Sequence, residues 1–437
     1  MRTFFIVWSG QLVSIVGSSL TGFALSIWVY QQSGSVTMLA LVMLAATVPG
    51  VLVAPFAGAL VDRWDRRLVM LGGDGAAGMA TGVVALLLVL GQLHLLWIFA
   101  LVIVGSVANA FQEPAWTASV PMLVPKKHLG RANGLAQTGQ AVGNLLAPAI
   151  AGALLGIFGL WGVLLVDFVT FLVAVGTVSA VRIPRPERTA GVRSVQKEAA
   201  EGWRYLRARP GLFALLGVMA VINFQFGFAS VLFIPLFLSF TNEVILGSMM
   251  SIAGFGMLLG TVVMSAWGGP RRRIAGLAIL ISVAGLALSA TGVRAAVLPA
   301  TIGMSGLFFL VPIVNGTSQA LWQTKVHLDM QGRVFALRRM MAQIAAPASY
   351  LLAGPLADRV FEPLMRGPLA SSVGSVIGVG DGRGIGLLFI VMGLSLSITM
   401  GVAYAMPRVR RLESEIPDVV EEAVPVGEIV TLAAPTS

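Results

Sequence analysis

Gly58-Ala59-Leu60-Val61-Asp62-Arg63-Trp64-Asp65-Arg66-Arg67 is the densest knot of charge in the first 180 residues. It joins two apolar runs, 37–60 and 68–91. Each run exceeds the roughly 20 residues that an α-helix needs to cross a bilayer core. So short a connection makes the two runs antiparallel neighbours, with their charged turn at one membrane surface. Working outward, similar runs occur at 4–30, 95–119, 132–157 and 160–182. A second set lies at 211–239, 244–267, 274–293, 296–321, 334–356 and 384–405. The pattern predicts an all-α integral membrane protein with twelve transmembrane helices. Only 11% of residues are charged and 57% are hydrophobic, whereas soluble domains carry about 25% charge. A water-soluble fold would have too little polar surface to cover itself.

The loop charges orient the chain. With the N-terminus inside, every Lys and Arg except Arg294, Arg359, Arg366 and Arg383 falls on the cytoplasmic side, as positive-inside topology requires. The net charge of +10 is therefore a topology signal, and nucleic acid is not an expected partner. The first apolar run is too long for a cleavable signal peptide. Cysteine is absent, and the histidines His94, His128 and His327 are not spaced for a metal, so no metal or other cofactor is expected. No Gly-Lys-Ser/Thr phosphate loop and no catalytic pairing of His with Ser or carboxylate occurs, which argues against ATP-driven transport by this chain alone and against an enzyme.

A repeat divides the chain. Gly130-Arg131, Leu135 and Ala151-Gly152-Ala153-Leu154 recur at the same intervals as Gly332-Arg333, Leu337 and Ala353-Gly354-Pro355-Leu356, an offset of 202 residues. These segments are the fifth and eleventh helices, the same helix of each half. The predicted plan is a six-helix bundle over 1–182, a cytoplasmic linker over 183–210, a second six-helix bundle over 211–406 and a disordered cytoplasmic tail over 407–437. Two parallel repeats with a site at their interface is a transporter architecture.

The charged turn resembles the Gly-x-Leu-x-Asp-Arg-x-Gly-Arg-Arg signature of the major facilitator superfamily, with Asp65 where a Gly is usual. The fifth helix carries Gly143-x-x-x-Ala147-Pro148-x-x-Ala151-Gly152, similar to that superfamily's exporter-associated motif with Ala at two Gly positions. The chain is most similar to the macrolide-efflux-like branch, from Gln11-Leu-Val-Ser-Ile-Val-Gly17 and Trp28-Val-Tyr-Gln-Gln-Ser-Gly-Ser35 to Gly354-Pro-Leu-Ala-Asp358. The resemblance implies a major facilitator fold. It also implies gating roles for Gly58, Asp62, Arg63, Arg66, Arg67, Gly143, Pro148 and Gly152, with Asp62 latching onto the eleventh helix near Arg333. The fourth helix lacks the Arg that many drug–proton antiporters carry there. Gly268-Gly-Pro-Arg271-Arg272-Arg273 is a remnant of the signature without its Asp.

Ionisable groups at membrane depth are costly and are usually functional or paired. The acids inside the predicted spans are Asp74, Glu113 and Asp167, and a proton carrier would be one of these. Asp74 lies near the signature arginines, so a salt bridge to them is the structural alternative. Glu113, beside Gln112, Pro114 and Trp116, could line an inward cavity or be paired. Asp167 lies on the sixth helix, which the resemblance implies supports the cavity and does not line it. Candidate substrate-binding residues are Gln11, Ser18, Gln112, Trp116, Gln140, Asn144, Asn223, Gln225, Asn315 and Gln319, drawn from polar stripes that must face protein or water. Amides beside Phe224, Phe226, Phe228 and Trp322 suit an amphipathic small molecule. The reading is a monomeric, multi-pass plasma- or inner-membrane transporter with both termini cytoplasmic. It would export drug-, macrolide- or siderophore-like molecules, with protons as coupling ion. A lipid-handling flippase or a non-transporting sensor remains the alternative.

Overall fold

The computed structural model describes residues 1–61, 63–181 and 195–419. Among these, ten helices are long and apolar enough to cross a membrane. One of them, Leu129–Ser179, is broken at Gly159, whose φ of 65° and ψ of −167° lie outside the helical region. Glycine, lacking a Cβ, takes that conformation without steric strain. The chain reverses there, as the packing against Arg2–Ser33 shows. Gly139 lies against Leu12 and Ile15 and Gly143 against Ser19, so 129–158 runs parallel to that first helix. Thr170 lies on Gly17 and Thr177 on Gly10, so 160–179 runs antiparallel. Leu328–Leu356 is as long as its neighbours, but Asp329, Arg333, Arg338 and Arg339 reduce its hydropathy. With it and the divided helix, the described chain makes twelve crossings.

In chain order these are α1 (Arg2–Ser33), α2 (Val36–Val61), α3 (Arg66–Val89), α4 (Leu95–Leu123), α5 (129–158) and α6 (160–179). The second set is α7 (Pro210–Leu238), α8 (Glu243–Trp267), α9 (Arg273–Val293), α10 (Val297–Lys325), α11 (Leu328–Leu356) and α12 (Arg383–Ala405). A linker helix, Val195–Arg207, precedes α7. It packs on α11 through Gly202, against Leu337 and the Arg333 backbone. Within the bundles, small residues allow the helices to approach closely. A Cβ at Gly285 of α9 would strike the Gly393 carbonyl of α12, and one at Gly292 the Gly386 carbonyl.

The sequence repeat has a structural counterpart. Arg66, at the start of α3, donates to the Ala118 carbonyl near the end of α4 at 2.7 Å. Arg273, at the start of α9, donates to the Ala320 carbonyl near the end of α10 and to Thr324 Oγ1, both at 2.9 Å. A guanidinium near the C-terminal end of a helix meets the negative end of the helix dipole. The remnant loop thus retains its clasp.

The caps differ. Asp65 caps α3 from within its own loop, accepting from the Arg67 N–H at 3.0 Å. The second copy lacks this acid, and Glu413 replaces it from beyond α12, accepting from the N–H groups of Arg273 (2.9 Å) and Ile274 (3.1 Å). This corrects the expectation of a disordered tail over 407–437. Residues up to 419 fold back on the ends of α9 and α10 through the short helices Pro407–Arg410 and Leu412–Glu415. Lys325 pairs with Asp418 at 2.9 Å and donates to the Glu413 carbonyl at 2.8 Å. The acidic composition that read as solvated instead meets the unpaired donors of α9 and the buried ammonium of Lys325. Residues 420–437, and 183–194 of the linker, lie outside the described residues.

Candidate functional site

The two halves meet at the face opposite the N-terminus. On one side α5 packs on α8: a Cβ at Gly152 would lie 2.6 Å from the Glu243 carbonyl, and one at Gly247 would strike the Pro148 carbonyl. Ser251 of α8 presses its hydroxyl against α5, donating to the Leu145 carbonyl (2.8 Å) and accepting from the Ala149 N–H (3.1 Å). Pro148 lies between these two residues and supplies no N–H of its own, which opens the ladder to an outside partner. On the other side α11 packs on α2: a Cβ at Gly354 would strike Thr37. Asp358, in the wide turn Ala357–Phe361, accepts from Ser35 Oγ (2.7 Å) and from the N–H groups of Val36 (3.1 Å) and Thr37 (2.8 Å). The repeated Ala-Gly pairs, 151–152 and 353–354, therefore each press on the N-terminal turn of a helix in the other half. Gln31 donates to Glu243 at the same face.

Toward the basic face one exposed ion pair spans the halves. Glu113 of α4 and Arg339 of α11 approach to 3.8 Å, yet their side chains stay 71% and 73% exposed. Arg339 is eleven residues into α11, about 16 Å along its axis at 1.5 Å per residue. Two mostly exposed, oppositely charged groups, one from each half, therefore meet at that depth.

In the first half, behind Glu113, lies Asp74, fully buried. Gln11 of α1 donates to its Oδ2 at 2.9 Å, and Gln112 of α4 donates to Oδ1 and to Gln11 Oε1 (3.1 Å). The partners of Asp74 are amides, not the signature arginines. Those arginines are engaged elsewhere: Arg66 on α4, and Arg67 on the Val178 carbonyl of α6 (3.1 Å) and the Ser179 carbonyl. Asp167, also buried, accepts from Thr81 Oγ1 at 3.1 Å and faces Gly17 of α1. Among the described residues no Lys or Arg pairs with either carboxylate. The two differ in setting: Asp74 is one residue removed, through Gln112, from the acid that meets the other half, whereas the partners of Asp167 are internal to its bundle.

In the second half Arg338 projects from α11. Its Nη1 donates to Gln319 Oε1 (3.1 Å) and its Nη2 to Ser318 Oγ (3.2 Å), with the guanidinium 4.7 Å over the Trp322 ring and 5.6 Å over Phe335. Asn315 and Gln319 are exposed on α10, and Asn223 is exposed on α7, donating to its own helix at Met219 (2.7 Å). Ser18 is exposed on α1. Gln225 is placed away from these, buried and donating to Ser395 Oγ of α12 at 2.9 Å. Trp116 stacks on Phe4 with centroids 6.0 Å apart, packed among side chains of its own half. The side chains of Gln140 and Asn144 lie outside the described residues, as does Asp62.

Of the remaining gating candidates, Gly58 has open space where a Cβ would be, and Gly143 packs on Ser19 within its own half. Arg63 is exposed beside Trp64 on a groove of about 920 Å³ between α3 and α4. Arg333, near which Asp62 was expected to meet the eleventh helix, pairs with Glu201 of the linker helix at 3.3 Å. Three residues escaped the sequence reading: Arg338 and Arg339, which had been tallied with the cytoplasmic loops although they fall inside 334–356, and Asp358, four residues beyond the repeated Gly354.

The sequence model of the Major Facilitator Superfamily matches residues 7–350. Macrolide efflux protein A of Streptococcus pyogenes is 28% identical over 371 residues, covering 82% of this chain and 90% of that protein. The multidrug efflux pump Tap of Mycobacterium tuberculosis is 25% identical, covering 94% of each. Among solved structures, a bacterial homologue of the human lysosomal transporter Spinster, inward-facing and unoccupied, aligns with a TM-score of 0.69 at 14% identity, covering 92% of this chain and 96% of that one. The nucleoside transporter NupG aligns with a TM-score of 0.69 at 13% identity, covering 93% and 100%.

Proposed function

The chain belongs to the Major Facilitator Superfamily, and from that premise we propose that it is a secondary-active exporter of amphipathic small molecules, coupled to protons. The observation that carries this reading is the asymmetry of contact between the halves. They are joined tightly at one face by Gly152 against α8 and Asp358 against α2, whereas toward the other Glu113 and Arg339 span them and stay exposed. With the basic face cytoplasmic, this is the inward-facing state of an alternating-access cycle. Two relatives are efflux proteins, which supports export as the direction.

Asp74 is the proton carrier in this scheme, and Glu113 is the residue through which its state reaches the second half. An ionised carboxylate buried without a cation is costly, so Asp74 favours closure of its surroundings when it holds a proton. Gln112 contacts Asp74 and adjoins Glu113, and the Glu113–Arg339 pair spans the halves. The test is transport in inverted membrane vesicles with an imposed pH gradient, over a panel of antibiotics and siderophores. Substrate-dependent collapse of the gradient is expected, and its absence across the panel counts against proton antiport. Glu113→Gln is expected to make substrate accumulate in cells, and unchanged efflux would remove Glu113 from the mechanism.

A lipid-handling role is the second reading. It is favoured by the groove between α3 and α4, lined by Leu68, Val69, Ile103 and Val104, with Arg63 at its charged end. Movement of labelled phospholipid between leaflets of reconstituted vesicles, without drug transport, would select it.

A further inference from the structure

We infer that the transported molecule carries an anionic group, a carboxylate or a similar oxyanion, and that Arg338 is the residue that reads it. The inference rests on the transporter reading and adds the charge of the substrate to it. Its basis is a comparison of how the cations of the second half are satisfied. Arg333 pairs with Glu201, Lys325 with Asp418, and Arg339 with Glu113. Arg273 sits on the last turn of α10. Arg338 also has only neutral partners, an amide oxygen and a hydroxyl, beside two aromatic rings; unlike Arg273, which begins α9, it stands ten residues inside its helix.

A guanidinium has five N–H donors in a rigid fork suited to bidentate contact with an oxyanion. The bonds to Gln319 and Ser318 use one donor on each terminal nitrogen, which leaves donors for a ligand. A cation held within a membrane-spanning helix without a counter-charge marks a functional position. The acid between the halves, Glu113, already faces Arg339. Arg338, Arg339 and Glu113 together leave one positive charge there. Phe335, half-buried, provides an apolar surface beside the charged fork while Trp322 is buried beneath it, which matches an amphipath whose acid group adjoins a hydrophobic or aromatic body. A structural role, bracing α10 against α11, predicts the same hydrogen bonds but no preference between ligands of different charge.

A matched pair of probes separates the two. Binding of dansyl-phenylalanine and of its methyl ester to the full-length protein in proteoliposomes is measured by energy transfer from tryptophan, and movement of both against an imposed gradient is followed in parallel. We expect the acid to bind at least tenfold more tightly than the ester. Arg338→Gln should abolish that preference by weakening the acid alone, and Arg338→Lys should restore part of it. Melting behaviour like that of the unaltered protein shows that each variant is folded. Equal or tighter binding of the ester by the unaltered protein, binding of neither probe, or an acid preference that survives Arg338→Gln, overturns the inference. If the ester is moved and the acid is not, the transporter reading stands while the charge assignment falls. If neither is moved under any gradient, both fall together.

Discussion

Replacing Asp358 by Ala removes the acceptor on which three donors of the other half converge, the Ser35 hydroxyl and the N–H groups of Val36 and Thr37. Those two N–H groups belong to the first turn of α2, where no intrahelical acceptor exists. Loss of an N-terminal cap costs about 0.5–2 kcal/mol. Here the cap comes from the turn that follows α11, so the loss falls on the state in which the halves touch at this face; once they part, water solvates the turn in either protein. At the middle and upper end of that range, about 1–2 kcal/mol, the ratio of sealed to open molecules falls roughly 5- to 30-fold. The chain contains no cysteine, so spin labels can be placed at Met38→Cys and Val360→Cys, both partly exposed near the contact. Electron–electron resonance should show the longer-distance population rising by that factor in Asp358→Ala. Amide exchange of the peptide containing Val36 and Thr37 should accelerate in step. Asp358→Asn, which keeps one acceptor oxygen, should fall between. Unchanged distances and unchanged exchange in Asp358→Ala would show that the cap does not hold the face shut.

Gly152→Val places a Cβ 2.6 Å from a backbone carbonyl of α8; transport should be lost at normal protein yield, while Gly217→Ala, at a position with open space, should leave transport intact. Asp74→Asn should abolish accumulation driven by a pH gradient and spare substrate exchange, because the amides of Gln11 and Gln112 can reorient around an Asn; gradient-driven transport at the original rate would exclude Asp74 as carrier. Burial pushes the Glu362 carboxyl above the ordinary glutamate range, against the opposing effects of the Ile385 N–H and Arg366. A raised value means that its contribution to stability is complete at pH below the unfolded glutamate value and is lost as pH rises through the folded one. The melting temperature in detergent should therefore decline across that interval and the decline should shrink in Glu362→Gln; identical profiles would refute the assignment.

The helices were legible because lipid imposes a length and an apolarity on any crossing segment. The twelve predicted runs correspond to the twelve helices, including the reversal between 157 and 160 that the structure places at Gly159. Side-chain partners were less legible, since proximity along the chain is a poor guide to depth in the membrane. Asp74 lies close in sequence to Arg66 and Arg67, yet those arginines turn to the ends of α4 and α6 while Asp74 meets amides at its own level on α1 and α4. Asn223 and Gln225 were grouped as one polar surface, although positions two apart on a helix point about 200° away from each other; the first is exposed and the second is buried against α12. Arg338 was concealed by the same charge asymmetry that identified the topology, because a cation tallied with a loop is not examined as part of a helix. Asp358 carries no local sign of its role, which exists only when the two halves are docked.

The hydroxyl of Ser251 occupies a particular place in α5. The groups it touches, the Ala149 N–H and the Leu145 carbonyl, stand four residues apart, and an α-helix pairs such groups with each other. When α8 withdraws, neither is stranded, because each already has the other within reach. Parting at this contact therefore exchanges one set of bonds for another and leaves no unmet backbone group of α5 in the bilayer. Such a joint can be tight in position and still nearly neutral in free energy, the condition under which a molecule can pass back and forth between two shapes on the modest driving force of a gradient.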